Sequence, residues 1–516
     1  MNTTMAVTLA GIIAIAAIGV SGRRTAGHGQ DLGEWAVGGR RFGTVTMWFL
    51  QAGESFTTFS FLGLAGLAFS DGVAATYALG YLSLCLLGQY LTGPRLWRLG
   101  KANGYITQAD FFADRFDSPL LGKVVAVVGA VFLLPYLQLQ ITGLGLIVQL
   151  ATGSETGATG SMVLATVLTV GFVLWSGIRG IARAAYFKDV LMVVALIVLV
   201  VAVPLTISGG LGGLFETVRE SRPALLTLDG AATDATWFTT AMLISAIGAG
   251  LNTMPHLWSA ILSAGSARSL RRNYIWLPLY QVAIAVPVIV GFAGAMALAP
   301  DADSRAALLT MTGHALPGWL VGVVAVAAAA TAMVPSAAIL LGISTLVSRN
   351  LLPARSERAT LRVNHVCVVL ASALALVLGI ARPGLLADLL LLTFGGLAQM
   401  APATVAGLAR HNRLGAVPAL LGIVTGVLTL AWLTFGGVDI GTVDAGLLSL
   451  VPNIVVTVVA QLLLSSGLLG SRRLGAGSGS GRMVDCGDAL ADGTPADGGV
   501  AAPARATSGR GPTARD

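Results

Sequence analysis

Long apolar runs recur along the whole chain, and they constrain the fold more than any other feature. About 17–25 apolar residues suffice to cross the hydrocarbon core of a bilayer, and such runs return until about residue 470. Hydrophobic residues make up 55% of the 516 residues and charged residues only 11%, under half the share in soluble domains. So few charges could not cover a soluble globule, so the chain is predicted to be an all-α polytopic membrane protein.

Thirteen transmembrane helices are predicted from these runs. They cover approximately residues 5–21, 44–70, 73–96, 119–150, 161–180, 186–208, 237–262, 274–298, 318–347, 362–381, 384–409, 417–435 and 446–470. The first run is interpreted as a span and not a cleaved signal peptide, because Arg23 and Arg24 follow it instead of preceding it. Residues 471–516 are rich in Gly, Ala, Ser and Asp and are predicted to form a disordered cytoplasmic tail.

The distribution of Lys and Arg supports this number of spans. Cytoplasmic loops of membrane proteins carry an excess of both residues. With the N-terminus outside, 27 of the 31 Lys and Arg residues fall on the cytoplasmic side, and Lys188 is counted there as a loop residue. The net charge of +7 is therefore explained by basic cytoplasmic loops of a protein in the inner (plasma) membrane. No nucleic-acid partner is expected.

No motif for catalysis, metal binding or a cofactor is found. The three cysteines, Cys85, Cys367 and Cys486, are isolated from one another, so they suggest neither a disulfide framework nor a metal site. The glycine-rich run Gly209–Gly213 lacks the lysine that follows a phosphate-binding loop. We therefore expect no enzyme activity and no cofactor other than a coupling cation.

Two of the predicted helices are interrupted by glycine, proline and polar residues near the middle of the membrane. The first contains AGESFTTFSFLG and the second contains ISAIGAGLNTMPHLW. When the first span is set aside, the interrupted helices are the first and the sixth of the next ten helices. Interruptions at matching positions of two five-helix halves are typical of an inverted repeat. Close helix packing by glycine is the alternative, but the polar residues around both breaks favour a site. Irregular backbone must be buried or line a cavity, so the breaks are predicted to face each other.

The repeat defines the expected domain organisation. It comprises an N-terminal span and loop (1–43), a first five-helix repeat (44–208), a second five-helix repeat (237–409), two C-terminal spans (417–470) and the tail (471–516).

Motifs over most of the chain resemble the sodium:solute symporter family. They include WAVGGRRFG, QADFFADRF, FLLPYLQLQITGLG, SGIRGIARAAYFKDVLM and PHLWSAILSAGSARSLRRN. The match runs from about Trp35 to Leu351, and more weakly to Gly470. Within the family, AGESFTTFSFLG, LRRNYIWLPLYQ and TAMVPSAAILLGISTLVSRNLL are most similar to the bacterial monocarboxylate permease branch. The resemblance implies the five-plus-five fold of leucine-transporter-type proteins, with one extra N-terminal and two extra C-terminal helices.

The resemblance also implies a function. It is uptake of a small carboxylate, such as lactate, pyruvate or a short-chain acid, together with a cation and by alternating access. Proton coupling instead of sodium coupling, and an amino acid or other solute, stay open as alternatives. A transporter-like membrane sensor is a remote one, because the tail lacks the periodicity of an output domain.

A cation site is implied between the first interrupted helix and the eighth. The family uses backbone carbonyls that correspond here to Gly53, Phe56 and Thr331, which define a candidate sodium site. Two further hydroxyl ligands align with Val334 and Pro335, so this part of the usual oxygen shell is missing. Pro335 frees a carbonyl near Thr331, and adjacent Ser336 could help to rebuild the site. The ion-coupling candidates are Gly53, Glu54, Phe56, Thr331 and Ser336.

Glu54 is the most unusual residue of the first interrupted helix. A carboxylate near mid-membrane is costly and is generally functional. It could be neutralised by a proton or stay ionised beside a cation, and either state would serve coupling. The alternative is a structural pair with a loop arginine such as Arg41.

Polar residues around both breaks suit a small carboxylate. Hydroxyl groups follow the first break, and the free amides at a helix N-terminus attract anions. Hydroxyls that bond back to their own helix are the alternative. The substrate-binding candidates are Ser55, Thr57, Thr58, Ser60, Tyr136, Gln140, Asn252 and Thr253.

Overall fold

The computed structural model describes residues 3–21, 32–152, 157–230, 232–381 and 386–466. These residues are all-helical and contain no β-strand, only two isolated bridges. The tail predicted for residues 471–516 lies outside the described residues. The α-helices are α1 (Thr3–Ser21), α2 (Leu32–Val37), α3 (Thr44–Ser55), α4 (Leu64–Asp71), α5 (Tyr77–Asn103), α6 (Gln108–Arg115), α7 (Pro119–Phe132), α8 (Leu134–Thr152), α9 (Gly157–Ser208), α10 (Leu211–Ser221), α11 (Ala235–Gly250), α12 (Pro255–Ser263), α13 (Ala267–Gln281), α14 (Ala285–Ala297), α15 (Ala307–Ala315), α16 (Gly318–Thr345), α17 (Glu357–Ala381), α18 (Leu386–Ala398), α19 (Ala401–Leu408), α20 (Ala416–Phe435) and α21 (Ala445–Ser465).

The all-α prediction is confirmed, but the number of thirteen spans is not. In the described part of the chain, eight helices are long and apolar enough to cross a membrane. The number is nine if α18 and α19, bent by 46° at their junction, form one span. Shorter apolar helices cover Thr3–Gly19, Thr159–Trp175 and Ala235–Gly250. The difference arises because these three predicted spans form shorter helices, and because Phe59–Asn103 is one apolar segment where the sequence predicts two spans, 44–70 and 73–96. The two helices predicted at 161–180 and 186–208 are separated by a kink at Gly177 within α9.

Helix α16 lies at the centre of the fold. In its most apolar window 94% of the residues are buried, whereas in the corresponding window of α21 only 22% are. α16 packs against α1, α8, α9 and α12. Large apolar side chains are exposed along α9, α17, α20 and α21. Exposed apolar faces of this kind are expected where helices contact lipid.

The first break separates α3 from α4. α3 ends at Ser55, Phe56 is extended, and the chain resumes through a π-helical turn, Phe59–Gly63. The backbone before the break packs tightly on α9. A Cβ atom on Gly53 would lie 2.9 Å from the Ala185 Cβ atom, so only glycine fits there without movement.

The second break separates α11 from α12. Asn252 has a φ of 56°, a left-handed conformation that Asn tolerates better than most residues. Pro255 begins α12, where its missing N–H leaves no helical acceptor unpaired. α11 starts at Asp234, whose side chain accepts from the backbone N–H of Trp237. That bond, with one from Thr442, holds the pKa of Asp234 below its usual value.

The short helix α6 connects the second break to the end of α16. Its N-terminus carries a capping box between Thr107 and Asp110. The Asp110 carboxylate also accepts from the Arg349 Nε atom at 2.8 Å and from the Asn350 side chain at 2.9 Å. Arg349 and Asn350 belong to the π-helical extension of α16 (Leu346–Leu351).

Candidate solute cavity and cation site

A cavity of about 70 Å³ lies between the two breaks. The first break lines it with Glu54, Ser55, Thr57 and Ser60, and the second with Ala249, Asn252 and Met254. Other polar lining side chains are Gln51, Gln89, Tyr136, His256, Tyr274 and Gln281. The two interrupted helices therefore border one space, as the sequence predicts.

The structure places five of the eight substrate-binding candidates on the wall of this cavity. These five are Ser55, Thr57, Ser60, Tyr136 and Asn252. Two of their hydroxyls donate to backbone carbonyls: Ser55 to Gln51 at 2.8 Å, and Ser60 to Ser55 at 3.2 Å. Because a hydroxyl has one proton but two lone pairs, both groups remain acceptors on the cavity wall. Their role in binding stays a prediction.

The other three candidates are buried beside the cavity and bond to the backbone of the breaks. The Gln140 Oε1 atom accepts from the Thr58 backbone N–H at 3.2 Å. The Thr253 hydroxyl donates to the Gly248 carbonyl at 2.6 Å. Both bonds satisfy groups that a helix terminus leaves without partners. Gln140 and Thr253 therefore stabilise the breaks in this structure, whereas the Thr58 hydroxyl has no hydrogen-bond partner among the described residues.

Glu54 is buried, with 5% of its surface exposed, and it faces the cavity. Neither carboxyl oxygen has a hydrogen-bond partner among the described residues. The expected alternative, a pair with Arg41, does not form in the described part of the chain. The carboxyl interacts electrostatically with Lys188, Tyr136 and Tyr274. Glu54 is thus a buried acid on the wall of the cavity.

Lys188 is the residue that sequence reasoning missed. Its side chain is fully buried, and its Nζ atom lies 2.6 Å from both the Gly53 and the Phe56 carbonyl oxygens. It also lies 3.2 Å from Asp189 Oδ1, which accepts from the Tyr280 hydroxyl at 3.1 Å. Gly53 and Phe56 are two of the carbonyls that the family resemblance implies as cation ligands.

The assignment of Lys188 to a cytoplasmic loop was wrong. α9 is continuous after Gly177, so Lys188 and Asp189 lie inside a helix and not at its start. The signal was available: a lysine next to an aspartate in an apolar run must be paired in the protein interior.

The eighth core helix, α16, contributes little to a cation site. Val334 and Pro335 are fully buried where two hydroxyl ligands were expected. The Thr331 hydroxyl donates to the Ala328 carbonyl at 2.7 Å, and the Ser336 hydroxyl donates to the Ala332 carbonyl at 2.6 Å. Within the described residues, no cluster of His, Cys, Asp and Glu could hold a metal ion.

Neutral side chains donate hydrogen bonds to the backbone carbonyls of the second break. The Gln108 Nε2 atom donates to the Thr253 carbonyl at 3.0 Å, and the Trp258 indole N–H donates to the Asn252 carbonyl at 2.8 Å. Gln89 donates to the Ala249 carbonyl at 3.1 Å.

Two broken helices around a central cavity define the leucine-transporter-type fold class. The fold matches the outward-open structure of a Na+-coupled sialic acid symporter, with a TM-score of 0.75 at 14% identity over 90% of this chain and 98% of that one. It also matches Mhp1, a nucleobase-cation-symport-1 family transporter, with a TM-score of 0.55 at 15% identity over 84% and 96% of the two chains.

The sequence comparisons define the family. The model of the sodium:solute symporter family matches residues 35–426. The uncharacterized symporter YhjB of Bacillus subtilis is 33% identical over 90% of this chain and 95% of its own. A monocarboxylate transport permease protein of Rhizobium johnstonii is 28% identical over 84% and 90%. The chain belongs to the sodium:solute symporter family, and it is a multi-pass membrane transporter, not an enzyme.

Proposed function

We propose that the protein takes up a small monocarboxylate together with a proton by alternating access. The observation that carries this proposal is the cavity between the two breaks. About 10–15 Å³ of such volume holds one water molecule, so 70 Å³ accommodates about five to seven water-sized groups. Lactate and pyruvate each have about six non-hydrogen atoms. The permease of R. johnstonii, whose name states monocarboxylate transport, adds support.

Glu54 is the proposed proton carrier. An ionised Glu54 would repel a carboxylate in the same cavity, whereas a protonated Glu54 would donate a hydrogen bond to it. The unpartnered oxygens of Glu54 permit that bond. A proton thus enters with the anion and is released with it into cytoplasmic water. Other titratable groups facing Glu54 are Lys188, Tyr136 and Tyr274, and His256 shares the cavity wall.

This scheme has an energetic signature. One proton moving with one monoanion transfers no net charge, so the membrane potential does no work on the pair. The pH gradient supplies about 1.4 kcal/mol per pH unit, which sustains about a tenfold accumulation. The proposed working compartment is the plasma membrane, with the N-terminus outside and the C-terminus in the cytoplasm.

The test is uptake of labelled lactate, pyruvate, acetate and alanine into proteoliposomes. A pH gradient, a sodium gradient or a potassium-diffusion potential is imposed on these proteoliposomes separately, so that each driving force is tested alone. We expect accumulation of the monocarboxylates under an inward proton gradient alone. Uptake of alanine without lactate would instead indicate an amino acid, whose ammonium group could pair with ionised Glu54. Absence of any carboxylate uptake would reject the proposal.

A further inference from the structure

The Lys188 ammonium group has the environment of a bound monovalent cation. Three oxygen atoms surround it within 3.2 Å: the carbonyls of Gly53 and Phe56 and the Asp189 carboxylate. An ammonium group has three N–H donors and no acceptor. Each donor therefore has one oxygen partner, and the group is satisfied without water.

Two of these oxygens belong to the break itself. Phe56 is extended after the end of α3, so its carbonyl is turned away from helical hydrogen bonding. Lys188 projects from α9 onto both carbonyls and thereby joins the broken helix to its neighbour. A free cation could not use the same carbonyls while Lys188 holds them.

Helix α16, from which the resemblance implies further cation ligands, agrees with this arrangement. A sodium ion, as a hard cation, requires several oxygen ligands. Val334 and Pro335 supply none from their side chains, and Lys188 already holds the Gly53 and Phe56 carbonyls. While Lys188 occupies these oxygens, the residues present do not fit a sodium ion at this position.

We propose that Lys188 is a tethered cation that permanently replaces sodium at the first break, so that this transporter works without sodium. Lys188 balances the charge of Asp189 and holds the Gly53 and Phe56 carbonyls in every turnover. A tethered cation cannot leave with the solute, so it carries no energy across the membrane. Coupling must therefore reside in a group that exchanges with the cavity, and Glu54 is that group. This last step rests on the proposed function; the replacement of sodium does not.

The inference predicts what removal of Lys188 should create. Lys188→Ala leaves a cavity surrounded by the Gly53 and Phe56 carbonyls and the Asp189 carboxylate, with ionised Glu54 nearby. These oxygens can bind a small cation. Lys188→Met also removes the charge, but its unbranched side chain fills most of the space. The two variants therefore separate loss of charge from opening of the site.

The experiment measures saturable binding of radioactive sodium to the purified full-length protein in lipid nanodiscs. We expect none for the wild type or Lys188→Met. We expect binding that approaches one sodium per molecule for Lys188→Ala, with a sodium-dependent rise in its unfolding temperature. Lys123→Ala, a substitution of an exposed lysine on α7, is the matched control and should behave as wild type.

Saturable sodium binding by the wild type would overturn the inference. So would a folded Lys188→Ala protein, with a cooperative unfolding transition, that gains no sodium binding. If Lys188→Ala does not fold, Lys188→Ser, which adds an oxygen, takes its place under the same criteria. No solute is needed here, so failure of every tested carboxylate would reject the proposed function and leave this result intact.

Discussion

The two breaks solve the same structural problem with different chemistry. Each leaves backbone carbonyls unpaired inside a membrane protein, where such groups are costly. At the second break, neutral donors from Gln108, Trp258 and Gln89 pair with them. At the first break, one charged group, Lys188, pairs with two carbonyls at once.

The difference separates a break stabilised by neutral donors from one stabilised by a charged group. Neutral amide and indole donors do not titrate, so the second break should keep its form at any physiological pH. The first break combines Lys188, Asp189 and Glu54 within one buried cluster, whose net charge depends on protonation. We therefore expect substitutions in this cluster to alter transport, and substitutions of the donors Gln108 and Trp258 at the second break to alter mainly stability.

The largest effect is expected for Lys188→Met. The substitution leaves buried Asp189 without its cation, and removing one member of a buried pair costs about 3–5 kcal/mol. Uptake should fall to background, and the unfolding temperature in detergent should drop. The double variant Lys188→Met/Asp189→Asn should recover part of the stability but none of the uptake. A fully active Lys188→Met protein would show that the first break does not depend on charge.

The next effect is expected for Glu54→Gln, which mimics a permanently protonated acid. Accumulation against a gradient should be abolished, because no proton is released with the solute. Exchange of labelled for unlabelled solute should survive better, since exchange does not require deprotonation. Uptake and counterflow in the same proteoliposomes measure both. Glu216→Gln, at an exposed carboxylate, is the control, and wild-type accumulation by Glu54→Gln would reduce Glu54 to a structural role.

A smaller effect is expected for Gln108→Leu at the second break. The Thr253 carbonyl loses its donor, and an unsatisfied buried acceptor costs about 1–3 kcal/mol. The unfolding temperature should fall, while the steady-state accumulation ratio should match that of the wild type. A changed ratio would mean that the second break takes part in coupling, contrary to the comparison.

The smallest effect is expected for Trp258→Phe. The aromatic ring packs against Phe111 with 5.4 Å between ring centroids, and phenylalanine keeps most of that contact. Only the hydrogen bond from the indole N–H to the Asn252 carbonyl is lost. The free energy of unfolding should fall by about 0.5–1.5 kcal/mol. Equilibrium unfolding should detect this loss, and uptake should be unchanged. A loss of uptake at unchanged stability would contradict the structural role.

The sequence was sufficient to predict the helical class and the positions of both breaks. Gly, Pro and Asn residues in apolar runs interrupt a helix by their own local conformations. The break at Asn252 and Pro255 could therefore be predicted from the sequence. Span boundaries were not, because α9 stays helical through a stretch with loop-like composition. Lys188 was missed because its partners, Gly53 and Phe56, are distant in sequence. Likewise, only the folded chain shows that Gln140 bonds to a backbone amide and does not line the cavity.

The short helix α6 has a consequence for how movement is transmitted. Within three positions, Gln108 bonds to the second break and Asp110 bonds to the end of α16. If the second break shifts relative to α16, α6 cannot keep both attachments in place, so one must yield. We therefore expect α6 to couple a shift of the second break to the end of α16. A cysteine crosslink from α6 to either side would identify which attachment releases during a transport cycle.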